Sequence, residues 1–172
     1  KVTGELPGLT TVIPHGLNLR FHMRPKKQHD ISKYSSENPY RLLYVSIVDQ
    51  YKHQWHVVNA VAELRNKGYP LFLDLVGPSY PPALHHLQET LYNLDPSESW
   101  VKYHGAVPYS NLHEIYAAAN LGIFASSCEN MPNILIETMA AGLPIACSNR
   151  GPMPEALGDN GVYFDPEQPF DI

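Results

Sequence analysis

Short apolar runs alternate with longer amphipathic stretches along the chain from Arg41 onward. Helical spacing of apolar residues follows the runs, as in the face formed by Val57, Val58, Val61 and Leu64. Runs this apolar are typical of strands buried on both faces, and an intervening helix is what joins two parallel strands. The pattern therefore predicts an α/β fold in which helices cover both faces of a six-stranded parallel sheet. The predicted strands span 42–48, 71–77, 100–105, 121–126, 144–148 and 161–164, and the helices between them span about 53–67, 82–93, 110–119, 133–141 and 152–157.

Residues 1–39 lack this regularity. They hold a short apolar piece, LTTVIPHGLN, and then a polar, basic stretch from Arg20 to Asn38 without periodicity. We interpret 1–39 as a connector from a missing N-terminal domain. Residues 40–172 are predicted to form one domain, which stops at Ile172 with no evident closing element. Because the chain also starts at Lys1 rather than at a methionine, we expect it to be a fragment of a longer protein.

The composition argues against several partners and sites. A net charge of −5 disfavours nucleic acid or an anionic membrane as the main partner. Cys128 and Cys147 fall in unrelated contexts and the nine histidines show no recognised ligand spacing, so we predict neither a disulfide scaffold nor a metal site. No apolar run approaches the roughly 18 to 20 residues of a membrane span. These features favour a cytoplasmic protein.

The stretch Ser126–Gly142, SSCENMPNILIETMAAG, carries the strongest candidate site. Pro132 fits a helix start, so we expect a helix to begin just after it and, because this helix is apolar almost all round, to be buried. Backbone amides at a helix start lack intrahelical partners and lie at the positive end of the helix dipole. The amides of Asn133, Ile134 and Leu135 therefore form a predicted anion site suited to phosphate.

Glu137 lies in the same predicted helix, where a carboxylate is rarely placed without a partner. Two interpretations stay open with equal weight: Glu137 pairs with an arginine or a backbone amide in the core, or it binds a ligand. A carboxylate does not hold phosphate, but it accepts hydrogen bonds from vicinal hydroxyls. A nucleotide or a nucleotide-sugar would satisfy both the carboxylate and the helix start. The sequence contains no GxGxxG, GxxxxGK[ST] or GxSxG motif, so it does not support a dinucleotide site, a P-loop or a hydrolase.

Several polar or glycine-containing turns follow the predicted strands. In a parallel α/β sheet such turns meet at the carboxyl edge, where ligands bind. We therefore expect Lys52 and Glu129 to lie along one edge with the glycine turns. Taken alone, Lys52 is predicted to be a solvated lysine and Glu129 a cap of the helix that follows. The tyrosines at 80, 92, 103, 109 and 116 are predicted to be half-buried packing residues.

The sequence around the two glutamates resembles a known family. ENMPNILIE, followed by TMAAGLPIACSNRGPMPEALGDNGVYFDP, is similar to the C-terminal, donor-binding domain of GT-B glycosyltransferases of family four. VIPHGLN and LLYVSIVDQYK resemble two further segments of that family, so the resemblance covers roughly Ile13 to Pro166. It implies a Rossmann-like three-layer α/β/α domain that is one half of a GT-B fold.

The resemblance also implies roles for individual residues. Glu137 would accept hydrogen bonds from ribose hydroxyls, and Glu129 would contact hydroxyls of the transferred sugar. Lys52 would offset the charge of the leaving phosphate, so that Lys52 and Glu129 are the predicted catalytic residues. The amides after Pro132 would hold the diphosphate. The three residues of one turn, Gly105, Ala106 and Val107, would line the base pocket.

The implied reaction is transfer of a hexose-type sugar, with retention, from a nucleoside diphosphate sugar to an unknown acceptor. The resemblance implies no cofactor and no metal. It implies two partners, the nucleotide-sugar co-substrate and the missing N-terminal domain, which would hold the acceptor and could contact the inner face of the membrane. The fragment alone is expected to bind nucleotide without turnover, and polysaccharide assembly is the expected setting.

Two positions depart from the family pattern. Ser46-Ile47 stands where the family usually has Gly-Arg, so the arginine that joins the lysine on the diphosphate is absent; Arg150 is one candidate to replace it. Asn130-Met131-Pro132-Asn133 replaces a glycine turn, which removes an amide donor at Pro132. Two alternatives therefore remain: a non-catalytic nucleotide-binding GT-B-like module, and a nucleotide-sugar epimerase.

Overall fold

All six predicted strands form, and they lie in one parallel sheet. The computed structural model describes residues 11, 13 and 15–172. The strands are β1 (Tyr40–Val45), β2 (Leu71–Val76), β3 (Val101–Tyr103), β4 (Leu121–Phe124), β5 (Ile145–Ser148) and β6 (Val162–Phe164). Their order is β3-β2-β1-β4-β5-β6, and every pair is parallel. This is the doubly wound order, with its switch point between β1 and β4.

Helices connect the strands where apolar spacing predicted them. They are α1 (Gln54–Asn66), α2 (Pro81–Leu94), α3 (Leu112–Ala118), α4 (Asn133–Ala140) and α5 (Met153–Leu157). Short 3₁₀ turns occur at Leu19–Phe21, Ile31–Lys33, Gln50–Lys52 and Tyr109–Asn111. The helix predicted from residue 110 thus starts as a 3₁₀ turn. Within the part of the chain that the structure describes, no helix is long and apolar enough to cross a membrane.

Apolar side chains cover both faces of the sheet. Val57, Val58 and Val61 of α1 are buried in one cluster with strand residues such as Leu73 and Leu75. A second cluster on the other face contains Leu43, Val45, Phe21 and Tyr116, among others. Burial on both faces explains why the strands read as continuous apolar runs. The predicted three-layer α/β/α architecture is confirmed.

The described part of the N-terminal segment packs against the second face. Phe21 is buried, the Met23 amide donates to the Ala140 carbonyl at 3.0 Å, and the Lys26 ammonium donates to the Ala119 carbonyl at 3.1 Å. The segment is therefore held along the ends of α3 and α4. Its predicted role as a connector to another domain stays a prediction, and the predictions for residues 1–10, 12 and 14 fall outside the described residues.

Gly77 brings three loops together at the carboxyl edge. Its φ of +144° is a conformation that side chains disfavour, and a Cβ there would lie 2.0 Å from the Ser46 carbonyl oxygen. The Gly77 amide also donates to the Gly105 carbonyl at 2.9 Å. The glycine thus lets the loops after β1, β2 and β3 approach closely, and these loops frame the candidate site.

Candidate functional site

Lys52 and Glu129 form an ion pair across the switch point of the sheet. Lys52 ends the 3₁₀ turn after β1, and Glu129 lies in the loop after β4. The Lys52 ammonium bonds to the Glu129 carboxylate, and the two side chains are 8% and 16% exposed. The ammonium also lies 5.0 Å from the centre of the Tyr51 ring and 5.6 Å from that of Phe124. The expectation of a solvated Lys52 was therefore wrong, because Glu129 and two rings cover it.

The backbone also ties these two loops. The Ser127 amide donates to the Tyr51 carbonyl at 2.8 Å, one residue away from Lys52 along the chain. The spacing of Lys52 and Glu129 is therefore set partly by the main chain. A cation and an anion held side by side can contact neighbouring groups of one ligand, such as a phosphate and an adjacent hydroxyl.

The helix α4 starts just after Pro132, as predicted, but one of its first amides differs from the prediction. The Asn133 amide donates to the Met131 carbonyl at 2.9 Å, so it is not a free donor. The amides of Ile134 and Leu135, which follow it in the first turn, remain positioned to bind an anion. The Asn133 side chain contacts His15, with 3.2 Å between Oδ1 and Nδ1.

The helix α4 is less buried than predicted. Leu135, Glu137 and Thr138 are buried, whereas Ile136 and Met139 are only partly covered. These two residues line an open, mainly apolar groove of about 590 Å³. The apolar circumference of the helix therefore contributes to a groove as well as to the core.

Glu137 is buried, as predicted, and its partners are two tyrosines. The Tyr109 hydroxyl donates to Oε1 at 3.0 Å, and the Tyr116 hydroxyl lies 3.5 Å from Oε2. Neither an arginine nor a backbone amide meets the carboxylate among the described residues. Burial raises the pKa of Glu137, and hydrogen bonds from both tyrosines oppose that rise. A carboxylate offers about four acceptor positions, so Glu137 can still accept from ligand hydroxyls.

A cavity of about 290 Å³ opens beside Glu137. It is lined by His15, Gly16, Leu17, Asn18, Tyr109, Asn133, Ile136 and Glu137. Its volume suits part of a nucleotide, at the low end of known ligand clefts. A larger cavity, of about 710 Å³, is lined by residues including Ser35, Lys67 and Pro70, at the opposite edge of the sheet. We favour the smaller cavity because it alone of the two borders a buried carboxylate and a helix start.

Tyr109 is the functional candidate that the sequence did not reveal. It was predicted to be a half-buried packing residue, but its side chain is 52% exposed and its hydroxyl bonds to Glu137. Its ring packs edge-on against Phe21, with 5.3 Å between centroids. Its position after the carboxyl end of a predicted strand could have indicated that Tyr109 lies near the site. Tyr116 was also predicted to be half-buried, and it is fully buried.

The turn Gly105, Ala106 and Val107 lies at the same edge, on the side of Tyr109. Gly105 has a positive φ of +68° and its carbonyl accepts from Gly77. Val107 packs against the second core cluster, and Ala106 is exposed. None of the three lines the cavity beside Glu137. Their contact with a base stays a prediction.

Arg150 does not replace the absent arginine. Its guanidinium pairs with Asp165 at 2.7 Å and with Glu167 at 3.6 Å, beyond the ends of β5 and β6. Ile47 is 37% exposed and places an apolar side chain at the carboxyl edge. Among the residues that the structure describes, Lys52 is the one buried lysine or arginine.

The described residues contain no group of three or more His, Cys, Asp or Glu side chains that could hold a metal ion. Cys128 and Cys147 are both free thiols, the first exposed and the second buried. A metal-free site stays a prediction.

Residues 26–172 match the family model of the glycosyl transferases group 1. The chain belongs to this family. Within it, 69 residues are 39% identical to the O-antigen chain mannosyltransferase B of Escherichia coli, a match covering 40% of this chain and 18% of that protein. The predicted membership is confirmed.

Several solved structures share the fold of this chain. HepE of Anabaena, in complex with UDP-glucose, superposes with a TM-score of 0.70 at 20% identity, over 90% of this chain and 43% of that one. The pneumococcal O-GlcNAc transferase GtfA, in complex with UDP and GlcNAc, superposes with a TM-score of 0.64 at 24% identity, over 79% and 26%. The chain thus spans less than half of each relative, as expected for one half of a GT-B fold.

Proposed function

We propose that this chain is the donor-binding half of a glycosyltransferase that transfers a hexose, with retention, from a nucleoside diphosphate sugar. The observation that carries the proposal is that a buried Lys52, paired with the partly buried Glu129, and a buried Glu137 lie at one edge of the sheet. The relatives support the class of donor: one is a mannosyltransferase, and two are bound to UDP-glucose or to UDP and GlcNAc.

The nucleotide would lie along α4. Glu137 would accept hydrogen bonds from the ribose hydroxyls in the cavity that it borders with Tyr109. The amides of Ile134 and Leu135 would bind the diphosphate at the helix start, where the dipole favours negative charge. The base would extend toward the turn at Gly105.

Lys52 and Glu129 would exchange partners when the donor binds. The Lys52 ammonium would move from the Glu129 carboxylate to the leaving phosphate, where negative charge grows as the bond to the sugar breaks. A fixed cation in a poorly solvated site stabilises such charge strongly. Glu129, released from Lys52, would accept hydrogen bonds from hydroxyls of the transferred sugar. The acceptor would bind to the N-terminal domain, so this half alone would bind the donor without turnover.

One observation favours a second candidate, a nucleotide-binding module without catalysis. Ile47 provides no cation at the edge, and Arg150 is already paired with Asp165. A module of this kind would bind nucleotide, but the complete protein would release no nucleoside diphosphate from a bound sugar donor. Release of the diphosphate by the complete protein would exclude it.

Cys128 offers a direct test of the donor site, because its exposed thiol immediately precedes Glu129. We expect a bound nucleotide-sugar to slow alkylation of Cys128 at least fivefold. The panel should include uridine, guanosine and adenosine diphosphate sugars, followed by mass spectrometry of the labelled peptide. Cys147 is the internal control, since burial raises the pKa of its thiol to about 12 and should leave it unlabelled. Unchanged labelling with every donor would contradict the proposal.

A further inference from the structure

We propose that His53 is a positioning residue that keeps the loops of Lys52 and Glu129 together when the donor separates that ion pair. This inference rests on the proposed function, since it concerns the same site. His53 follows Lys52 directly, precedes α1 and is 8% exposed. None of the binding roles described above uses His53, because its ring bonds to Ser127 in the loop that carries Glu129.

Hydrogen bonds fix the direction of this contact. The His53 Nε2 atom lies 2.9 Å from the Ser127 hydroxyl oxygen, which in turn lies 3.3 Å from the Tyr51 carbonyl oxygen. A carbonyl can only accept, so the Ser127 hydroxyl donates to Tyr51 and accepts from the protonated Nε2 of His53. The ring thus binds the loop of Glu129 to the turn that carries Lys52.

The His53 ring is itself held from behind. It stacks on His56, with 5.2 Å between centroids and 17° between planes, and it meets the edge of Trp55. The His56 Nδ1 atom donates to the Pro166 carbonyl at 2.8 Å. Elements from α1 and from beyond β6 therefore fix the ring, and a fixed ring can position the loop that it bonds to.

The charged groups around His53 do not remove the hydrogen-bond donor on its Nε2 atom. Burial and the neighbouring His56 lower the pKa of His53, while Glu167 and Asp165 oppose that fall. The neutral ring with its proton on Nε2 still donates to Ser127, so the contact persists at neutral pH.

The backbone of His53 indicates that the side chain matters at this position. Its φ is +52°, and among the described non-glycine residues only Glu98 shares a positive φ. A glycine would adopt this conformation with less strain. The cost of a histidine here is offset by the contacts of its ring with Ser127 and His56.

The contact between His53 and Ser127 becomes important when the donor binds. Four interactions join the two loops: the Lys52–Glu129 pair, the bonds of the Ser127 amide and of the Ser127 hydroxyl to the Tyr51 carbonyl, and the His53–Ser127 bond. The donor takes over both members of the ion pair, which leaves the other three interactions to set the spacing. His53 therefore acts on the donor through Lys52 and Glu129 and does not touch it.

The test separates positioning from folding by using variants with opposite effects. His53→Gly relieves backbone strain and also removes the ring contacts that offset it, so we expect little change in melting temperature together with about fivefold to tenfold weaker binding of a nucleoside diphosphate, the loss of one hydrogen bond's effect. His53→Gln retains a donor and should bind within about twofold of wild type. Glu98→Gly is the matched control, which relieves the same strain far from the site and should leave affinity unchanged.

Calorimetric titration of the chain with UDP, GDP and ADP supplies these affinities. Ser127→Ala should weaken binding at least as much as His53→Gly does, because it removes the bond to His53 and also the hydroxyl bond to Tyr51. The double variant should be no weaker than Ser127→Ala, because the bond to His53 is already absent there. Hydrogen exchange without ligand gives an independent result: the amide at position 127 should exchange faster in His53→Gly.

Wild-type affinity in His53→Gly, or an equal loss in His53→Gln, would overturn the positioning role while leaving the donor site intact. A wild-type chain that binds none of the three diphosphates would overturn the proposed function and the effect on the donor. In that case, faster exchange at position 127 in His53→Gly would still show that His53 ties the loops, and unchanged exchange would refute the tie as well.

Discussion

In the proposed reaction, replacing Lys52 with methionine should lower the rate of sugar transfer by the complete protein at least a hundredfold. Removing a preorganised group that stabilises developing charge costs about 10² to 10³ in kcat. Among the described residues no second buried lysine or arginine can replace it, and Arg150 is engaged by Asp165 and Glu167. The measurement is kcat at saturating donor, compared with wild type.

The Lys52→Met variant should also lose stability, because Glu129 is left partly buried without its partner. Glu129→Gln added to Lys52→Met removes the unpaired charge, so the double variant should recover melting temperature, whereas kcat should stay low because both residues act on the donor. This pattern separates loss of the reaction from simple loss of folding. A Lys52→Met enzyme that keeps more than about a tenth of wild-type kcat would contradict the assigned role.

Replacing Glu137 with alanine should weaken nucleotide binding about a hundredfold. Glu137 is the carboxylate that borders the cavity, and hydrogen bonds to a charged acceptor are worth about 1.5 to 3 kcal/mol each. Two ribose hydroxyls would therefore account for at least this loss. Calorimetric titration with the nucleoside diphosphate that binds best to wild type measures the change. Glu89→Gln, at an exposed carboxylate of α2, is the control and should bind normally.

The same carboxylate should destabilise the empty domain at neutral pH. Burial raises the pKa of Glu137 above 4.5, so between pH 4.5 and the folded-state pKa the folded chain binds more protons than the unfolded chain. The contribution of Glu137 to stability therefore rises as pH falls through that window. Glu137→Gln should melt higher than wild type at pH 7.5, and this advantage should shrink as pH approaches 4.5. An advantage that does not change with pH would contradict the proposed burial cost.

The fold could be predicted because its signals are local. Apolar runs marked the strands, helical spacing marked α1 and α2, and glycines such as Gly68 marked helix ends. These signals depend on residues only a few positions apart. The strands were easy to predict because both faces of the sheet are covered, which makes each strand apolar throughout. The free amides at the start of α4 were less secure, because the Asn133 amide, predicted to be a free donor, donates to the Met131 carbonyl.

The site could be predicted only in part because its contacts join distant segments. The residues around Glu137 on the helix are apolar, so its burial could be predicted from the sequence. Lys52 is covered by Glu129, 77 residues away, and nothing local distinguishes it from a surface lysine. Tyr109 reaches Glu137 across 28 residues of sequence. Such pairings follow from strand order, which places the loops after β1, β3 and β4 along one edge.

The most direct test of the donor site is a map of the nucleotide on the chain. In a ¹⁵N heteronuclear titration with a nucleotide-sugar that protects Cys128, we predict the largest amide shifts at Ile134 and Leu135, in the loop at Glu129 and next to Tyr109. No comparable shifts are expected at Ser35 or Lys67, beside the larger cavity at the opposite edge. Shifts concentrated around Lys67, or none at saturating nucleotide-sugar, would contradict the account.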